Sequence, residues 1–232
     1  MSRSPLRTWL SLTLVLLGAL GTCGCLFNGE NDVKYAWSAV EAREFDQAVR
    51  LATRAIRFGG LTGENLSSAL ECRATASMRV DQLSHALEDL DRIVTLRPDY
   101  AGGYFLRGDV RLRQKEYDAA LADLSQGMKI ADPKGDSSSQ FLGKRYAARG
   151  VAWLGKKDVE QALADLNHAV ALDPRRAESY YFRSFAYQRK GMLPEALADM
   201  EVAVKLHDSS IFSIPSGEWL YRLEQLRSKV KR

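Results

Sequence analysis

Four arginines stand sixteen residues ahead of four aspartates: Arg73 and Asp89, Arg107 and Asp123, Arg149 and Asp165, Arg183 and Asp199. A guanidinium and a carboxylate can meet as a two-pronged, charge-assisted pair. Each aspartate sits in a mostly apolar stretch, so the chemistry on offer is an internal salt link. The other reactive groups are scattered. His85, His168 and His207 lie far apart, and the cysteines are Cys23, Cys25 and Cys72. No glycine-rich phosphate loop, metal-ligand cluster or nucleophile elbow is present. From this set we expect no enzyme, no cofactor, no metal and no small-molecule substrate.

Sixteen residues is the path from the middle of one helix, around a turn, to the middle of the next. The chain repeats on that scale. "LEDL" at 87–90 returns as "LADL" at 121–124 and 163–166 and as "LADM" at 197–200, in steps of 34, 42 and 34. One residue before each copy is an alanine (Ala86, Ala120, Ala162, Ala196), and Ala48 marks a fainter first copy. Three residues before the alanines are Phe45, Leu83, Tyr117, Val159 and Leu193; twelve before are Ala36, Ala74, Gly108, Gly150 and Ser184.

A fixed period of this size signals a stacked array. Apolar residues recur at spacings of three and four within each copy, which is the helical period. The small residues allow two helices to approach closely. In the third copy "AGGYFLRGDVRLRQ" predicts the first helix, "KEYD" the turn and "AALADLSQGMKI" the second helix. An Arg–Asp ion pair is expected between the two helices of each of the last four copies. The first has Tyr35 and Leu51 at the two places, so both charges are missing together.

A 34-residue helix–turn–helix unit with this order of small residue, aromatic, alanine and proline resembles the tetratricopeptide repeat (TPR), most clearly at "YAARGVAWLGKKDVEQALADLNHAVALDP". The resemblance implies an all-α, right-handed α-solenoid of about five hairpins over 29–210, with units near 29–62, 67–100, 101–134, 143–176 and 177–210. The polar stretch "PKGDSSSQ" takes up the extra eight residues as a loop at 133–142, and "GGLTG" takes up four more after the first unit. A final helix at 216–231 has an apolar edge of Trp219, Leu223, Leu226 and Val230 and reads as a cap on the exposed end.

The family's first helices line a concave groove that takes a protein or peptide partner. Carried over by position, its lining here includes Trp37, Val40, Met78, Arg79, Phe105, Asp109, Leu112, Arg113, Val151, Leu154, Tyr181, Phe185 and Arg189. Lys144 and Ala147 hold such places too. The carboxylate-clamp subtype does not fit, because Val33, Trp37, Glu71, Thr75, Phe105 and Asp109 stand where it uses lysine and asparagine. Trp37, Phe105 and Phe185 have an alternative role as packing between neighbouring units.

The N-terminus is of another kind. Arg3 and Arg7 precede an apolar run from Trp9 to Leu20 and then "GTCGC", the layout of an export signal over 1–24. The run is too short to span a bilayer, which needs about 20 apolar residues. Cys23 and Cys25 each fit half of a pattern that resembles a bacterial lipobox, which implies a lipid on one of them. The chain then resembles bacterial TPR lipoproteins and would be anchored to a membrane, the outer one facing the periplasm above the inner one. Ordinary signal cleavage to a secreted or periplasmic protein is the alternative. Net charge is +4 and no basic stripe stands out, so no nucleic acid is expected. The function expected is a tethered scaffold for an envelope partner; the alternative is an oligomerising module that uses its convex face or last helix.

Overall fold

The computed structural model describes residues 28–132, 140–207 and 216–230. The expected export signal, Cys23 and Cys25, and most of the expected 133–142 loop lie outside them. Every regular element among the described residues is an α-helix. The chain divides into two compact units, residues 1–96 and 97–232.

The first unit holds two hairpins: α1 (Gly29–Glu41) with α2 (Phe45–Phe58), and α3 (Gly63–Arg79) with α4 (Leu83–Leu96). Asn28 starts α1, its Oδ1 accepting from the backbone N–H groups of Glu30 and Asn31 at 3.1 and 3.3 Å. α3 begins at Gly63, ahead of the expected 67, so the extra residues after the first hairpin form part of a helical turn as well as a loop.

The second unit holds three hairpins and a single helix. They are α5 (Ala101–Arg113) with α6 (Tyr117–Ala131), α7 (Gln140–Gly155) with α8 (Val159–Leu172), and α9 (Ala177–Lys190) with α10 (Leu193–His207), followed by α11 (Ser216–Val230). Tyr117 and Asp118 open α6 and do not belong to the turn, because Glu116 sits at the N-cap. Residues 140–142, expected in the loop, are the first turn of α7. Pro194 lies in the first turn of α10, where its missing N–H costs nothing.

One turn joins the two helices of all five hairpins. Its central residue takes a left-handed conformation: Arg43, Asp81, Lys115, Lys157 and Gly191, with φ of 63, 62, 63, 66 and 81°. The next N–H reaches back to a carbonyl on the preceding helix: Glu44 to Ala39, Gln82 to Ser77, Glu116 to Arg111, Asp158 to Trp153 and Met192 to Tyr187, at 2.8–3.0 Å. This is the Schellman ending, whose left-handed place suits glycine. Only the last hairpin uses one. Gly191→Ala is therefore expected to lower stability by about 1 kcal/mol, and Lys157→Gly to raise it by up to a similar amount. Urea denaturation of the two variants checks both signs.

The cores are built from the repeated small residues and from the Arg–Asp pairs. Ala36, Ala74 and Ser184 are fully buried, and Gly108 and Gly150 hold the same place. Bidentate pairs link the two helices of four hairpins, donated by each arginine's Nε and Nη2: Arg73 to Asp89 (2.8 and 2.7 Å), Arg107 to Asp123 (3.0 and 2.7 Å), Arg149 to Asp165 (2.8 and 2.7 Å) and Arg183 to Asp199 (2.7 and 2.8 Å). Arg111 adds a second guanidinium to Asp123 at 2.7 Å. The aspartates are buried.

The arginines also reach out of their own hairpin. Nη1 of Arg73 meets Thr53 at 3.2 Å, Arg149 meets Ser125 at 3.4 Å and Arg183 meets Asn167 at 3.0 Å, each on the second helix of the preceding hairpin. The first hairpin is not without a charge pair. Asp32 on α1 bonds Arg54 on α2, with Nε at 2.8 Å, so the polarity is the reverse of the other four.

α11 packs on α10 as the first helix of a further hairpin would. Trp219, Leu223 and Leu226 are buried, whereas Val230, expected on the same edge, is exposed. Arg227 donates to Glu201 at 3.0 Å. Glu201 follows Asp199 by two residues, as Ser125 follows Asp123 and Asn167 follows Asp165. This last helix among the described residues thus repeats the arginine link.

Candidate functional site

Within the second unit the first helices of the three hairpins run side by side, with α7 packed between α5 and α9. Their shared face holds a cavity of about 350 Å³. α5 contributes Asp109, Leu112 and Arg113 from its last turns, and α7 contributes Lys144, Ala147, Ala148 and Val151. From the start of α9 come Glu178 and Phe182, with Arg176 at the N-cap. These offsets of three and four place each set on one side of its helix. Leu112, Ala147, Ala148, Val151 and Phe182 make an apolar floor, and the charged groups stand around it.

The two carboxylates among them are poorly solvated. Asp109 accepts from Arg145 Nη1 at 3.2 Å, and Glu178 accepts from Arg176 Nη2 at 3.4 Å. Burial pushes the Asp109 carboxyl above the usual carboxylate range, against the pull of Arg145 and Lys144. Glu178 is also raised by burial. Lys144, whose side chain stays exposed, is lowered, first by partial desolvation against its neighbours and then by the charge of Arg145. Arg145 is lowered by burial despite its bond to Asp109, and it lies 4.5 Å from the Phe105 ring centroid and 5.0 Å from that of Phe141. A carboxyl with a raised folded pKa adds stability as pH falls through that pKa, and the gain is absent at neutral pH. The two acids thus work against the fold at neutral pH.

The groove residues expected from sequence divide in three. Asp109, Leu112, Arg113 and Val151 line the cavity, beside Lys144 and Ala147. Phe105, Leu154 and Tyr181 do not line a groove: they are 0, 6 and 3% exposed. Phe105 fills space left by the absent side chain of Gly127, where an added Cβ would stand 2.6 Å from the ring. Tyr181 lies under Trp219, rings stacked at 4.4 Å. Phe185 is half-buried and covered by the last helix, with the Arg222 guanidinium 4.7 Å from its ring centroid. Arg189 is exposed and bonds the Leu154 carbonyl.

Trp37, Val40, Met78 and Arg79 belong to the first unit and take no part in this cavity. Trp37 donates its indole N–H to Ser68 at 3.1 Å and packs on Val33, Ala55 and Ala69, so it ties α1 to α3. Val40 packs with Ala36 and Ala39, Met78 is half-buried, and Arg79 lies over Phe45 at 5.4 Å. Ala148, Arg176, Glu178 and Phe182 escape the sequence reading. A signal exists for two of them: Glu178 and Phe182 stand 34 residues after Lys144 and Ala148, one repeat on. Of the histidines, His85 and His168 are exposed, and His207 stacks on Trp219 at 4.2 Å.

Repeated helical hairpins of this length, packed side by side and linked through buried charge pairs, define a class of helical-repeat fold. The repeat is the tetratricopeptide repeat. Its family model matches residues 73–136, and the chain carries the all-α TPR solenoid fold. A tetratricopeptide repeat domain-containing protein of Arabidopsis thaliana chloroplasts, PYG7, is 29% identical over 127 residues, covering 55% of this chain. Human DnaJ homolog subfamily C member 3 is 23% identical over 145 residues, covering 60% of it. This chain spans only 39% and 29% of those two proteins.

Among solved structures, MamA (residues 41 to the end) from Desulfovibrio magneticus aligns with a TM-score of 0.65 at 20% identity, covering 78% of this chain and 97% of that one. A thermophilic TPR protein of Thermus thermophilus aligns with a TM-score of 0.63 at 18% identity, covering 86% and 98%. These likenesses speak to the fold.

Proposed function

We propose that this protein is a membrane-tethered scaffold that holds a protein partner of the bacterial envelope in the cavity between α5, α7 and α9. The observation that carries this reading is the cavity itself: an apolar floor ringed by charged groups, its two carboxylates desolvated, on the face where three successive first helices meet. Such a surface offers an apolar anchor point with polar groups to fix orientation. The tether rests on the N-terminal sequence, where the apolar run ends in Cys23 and Cys25 only a few residues before Asn28.

A photo-crosslinking residue at Val151, used in living cells, tests the seat. One dominant envelope protein is expected to crosslink there, and Leu112→Asp is expected to abolish the product. Absence of any partner at Val151 would remove the reading. The tether is tested separately by membrane flotation of Cys23→Ser and Cys25→Ser chains. Loss of the protein from the floating fraction is expected for the lipidated position. A second reading is favoured by Leu220 and Tyr221, which are 50 and 66% exposed on α11. In it the last helix builds an envelope complex, and a crosslinker at Tyr221 would return the product that Val151 does not.

A further inference from the structure

The charges around the cavity are not balanced, and the imbalance has a place. Asp109 is taken by Arg145 and Glu178 by Arg176. Lys144 makes no ion pair among the described residues, yet it stands at the cavity edge beside both pairs. Arg145 and Arg176 both repel its ammonium, and Asp109 and Glu178 offset them only in part. A second observation concerns Glu178, which is 7% exposed and whose Oε2 is buried with no hydrogen-bond partner beyond the pull of its own backbone N–H on the carboxylate. Such an oxygen is costly to leave unanswered. It accepts only, so what completes it must donate, as a peptide N–H does. An aliphatic carboxylate lacking an N–H would leave it as it is.

We propose that the segment seated here is a peptide in which an apolar side chain stands next to an aspartate or glutamate. The side chain rests on Leu112, Val151 and Phe182, the carboxylate pairs with Lys144, and a backbone N–H answers Glu178. This deepens the scaffold reading and rests on it.

The test uses the full chain and fluorescein-labelled peptides that share a central leucine and differ only in flanking pairs of glutamate, glutamine or lysine. Anisotropy titration at moderate salt is expected to rank glutamate above glutamine above lysine, with about tenfold or more between the extremes. Lys144→Glu, a change at an exposed side chain, is expected to reverse that order. Val151→Asp, checked for folding by circular dichroism, is expected to weaken all three peptides. Binding of all three without a charge order, or with lysine preferred, overturns the acidic-peptide assignment while leaving the seat in place. Binding of none overturns the seat as well.

Discussion

Asp165→Ala is expected to cost about 3 kcal/mol, read as a fall of roughly 6–12 °C in the thermal midpoint of the full chain. The carboxylate is the more buried partner, at 7% side-chain exposure against 24% for Arg149. It receives two hydrogen bonds from that arginine, which are the largest cause raising the Arg149 pKa. Removing the aspartate leaves a guanidinium between two helices with no carboxylate, only the Ser125 hydroxyl 3.4 Å from its third nitrogen and the Tyr146 ring, its centroid 5.4 Å away. The partial exposure of the arginine places the loss at the low end of the range for broken buried pairs. Replacing both residues removes the stranded charge, so Arg149→Tyr with Asp165→Leu, the residue types of the first hairpin, should cost less than the two single changes summed. Coupling of at least about 1 kcal/mol in the double-mutant cycle is the expected result. Strict additivity would mean that the pair is ornamental.

Trp219→Ala is expected to be as severe, at about 3–5 kcal/mol, the range for emptying a large aromatic site. The indole is fully buried, sandwiched between Tyr181 and His207 at 4.4 and 4.2 Å with interplanar angles of 15 and 18°. It is the largest apolar group that α11 places on the hairpin beneath. The damage should begin locally. Limited proteolysis is expected to cut within α11 before any other helix, and Tyr181 should become accessible in step. If cleavage instead starts uniformly along the chain, α11 is not a separately docked element.

Much of the fold is legible because the repeat fixes it twice, in apolar spacing and in charge. The Arg–Asp geometry needs only the sixteen-residue offset, since a hairpin of this length brings those two places together. Two things are less visible. The reversed pair of the first hairpin, Asp32 with Arg54, has the acid first and a 22-residue spacing, so a search built on the other four passes it by.

The groove is harder still. Carrying positions over treats every first helix as presenting the same register, but the cavity takes the last turns of α5 and the first turns of α9. That register points to Tyr181 in place of Phe182. For Phe105 the missing clue lies on the opposite helix, in Gly127, whose bare backbone makes room for the ring.

The links from Arg73 to Thr53, Arg149 to Ser125, Arg183 to Asn167 and Arg227 to Glu201 share a direction. In each, the guanidinium is the later element and its acceptor belongs to a helix already completed upstream. A chain leaving the ribosome or a translocation pore N-terminus first can therefore fold vectorially, every new arginine arriving at a finished surface. None of these four links asks an earlier hairpin to wait for a later one.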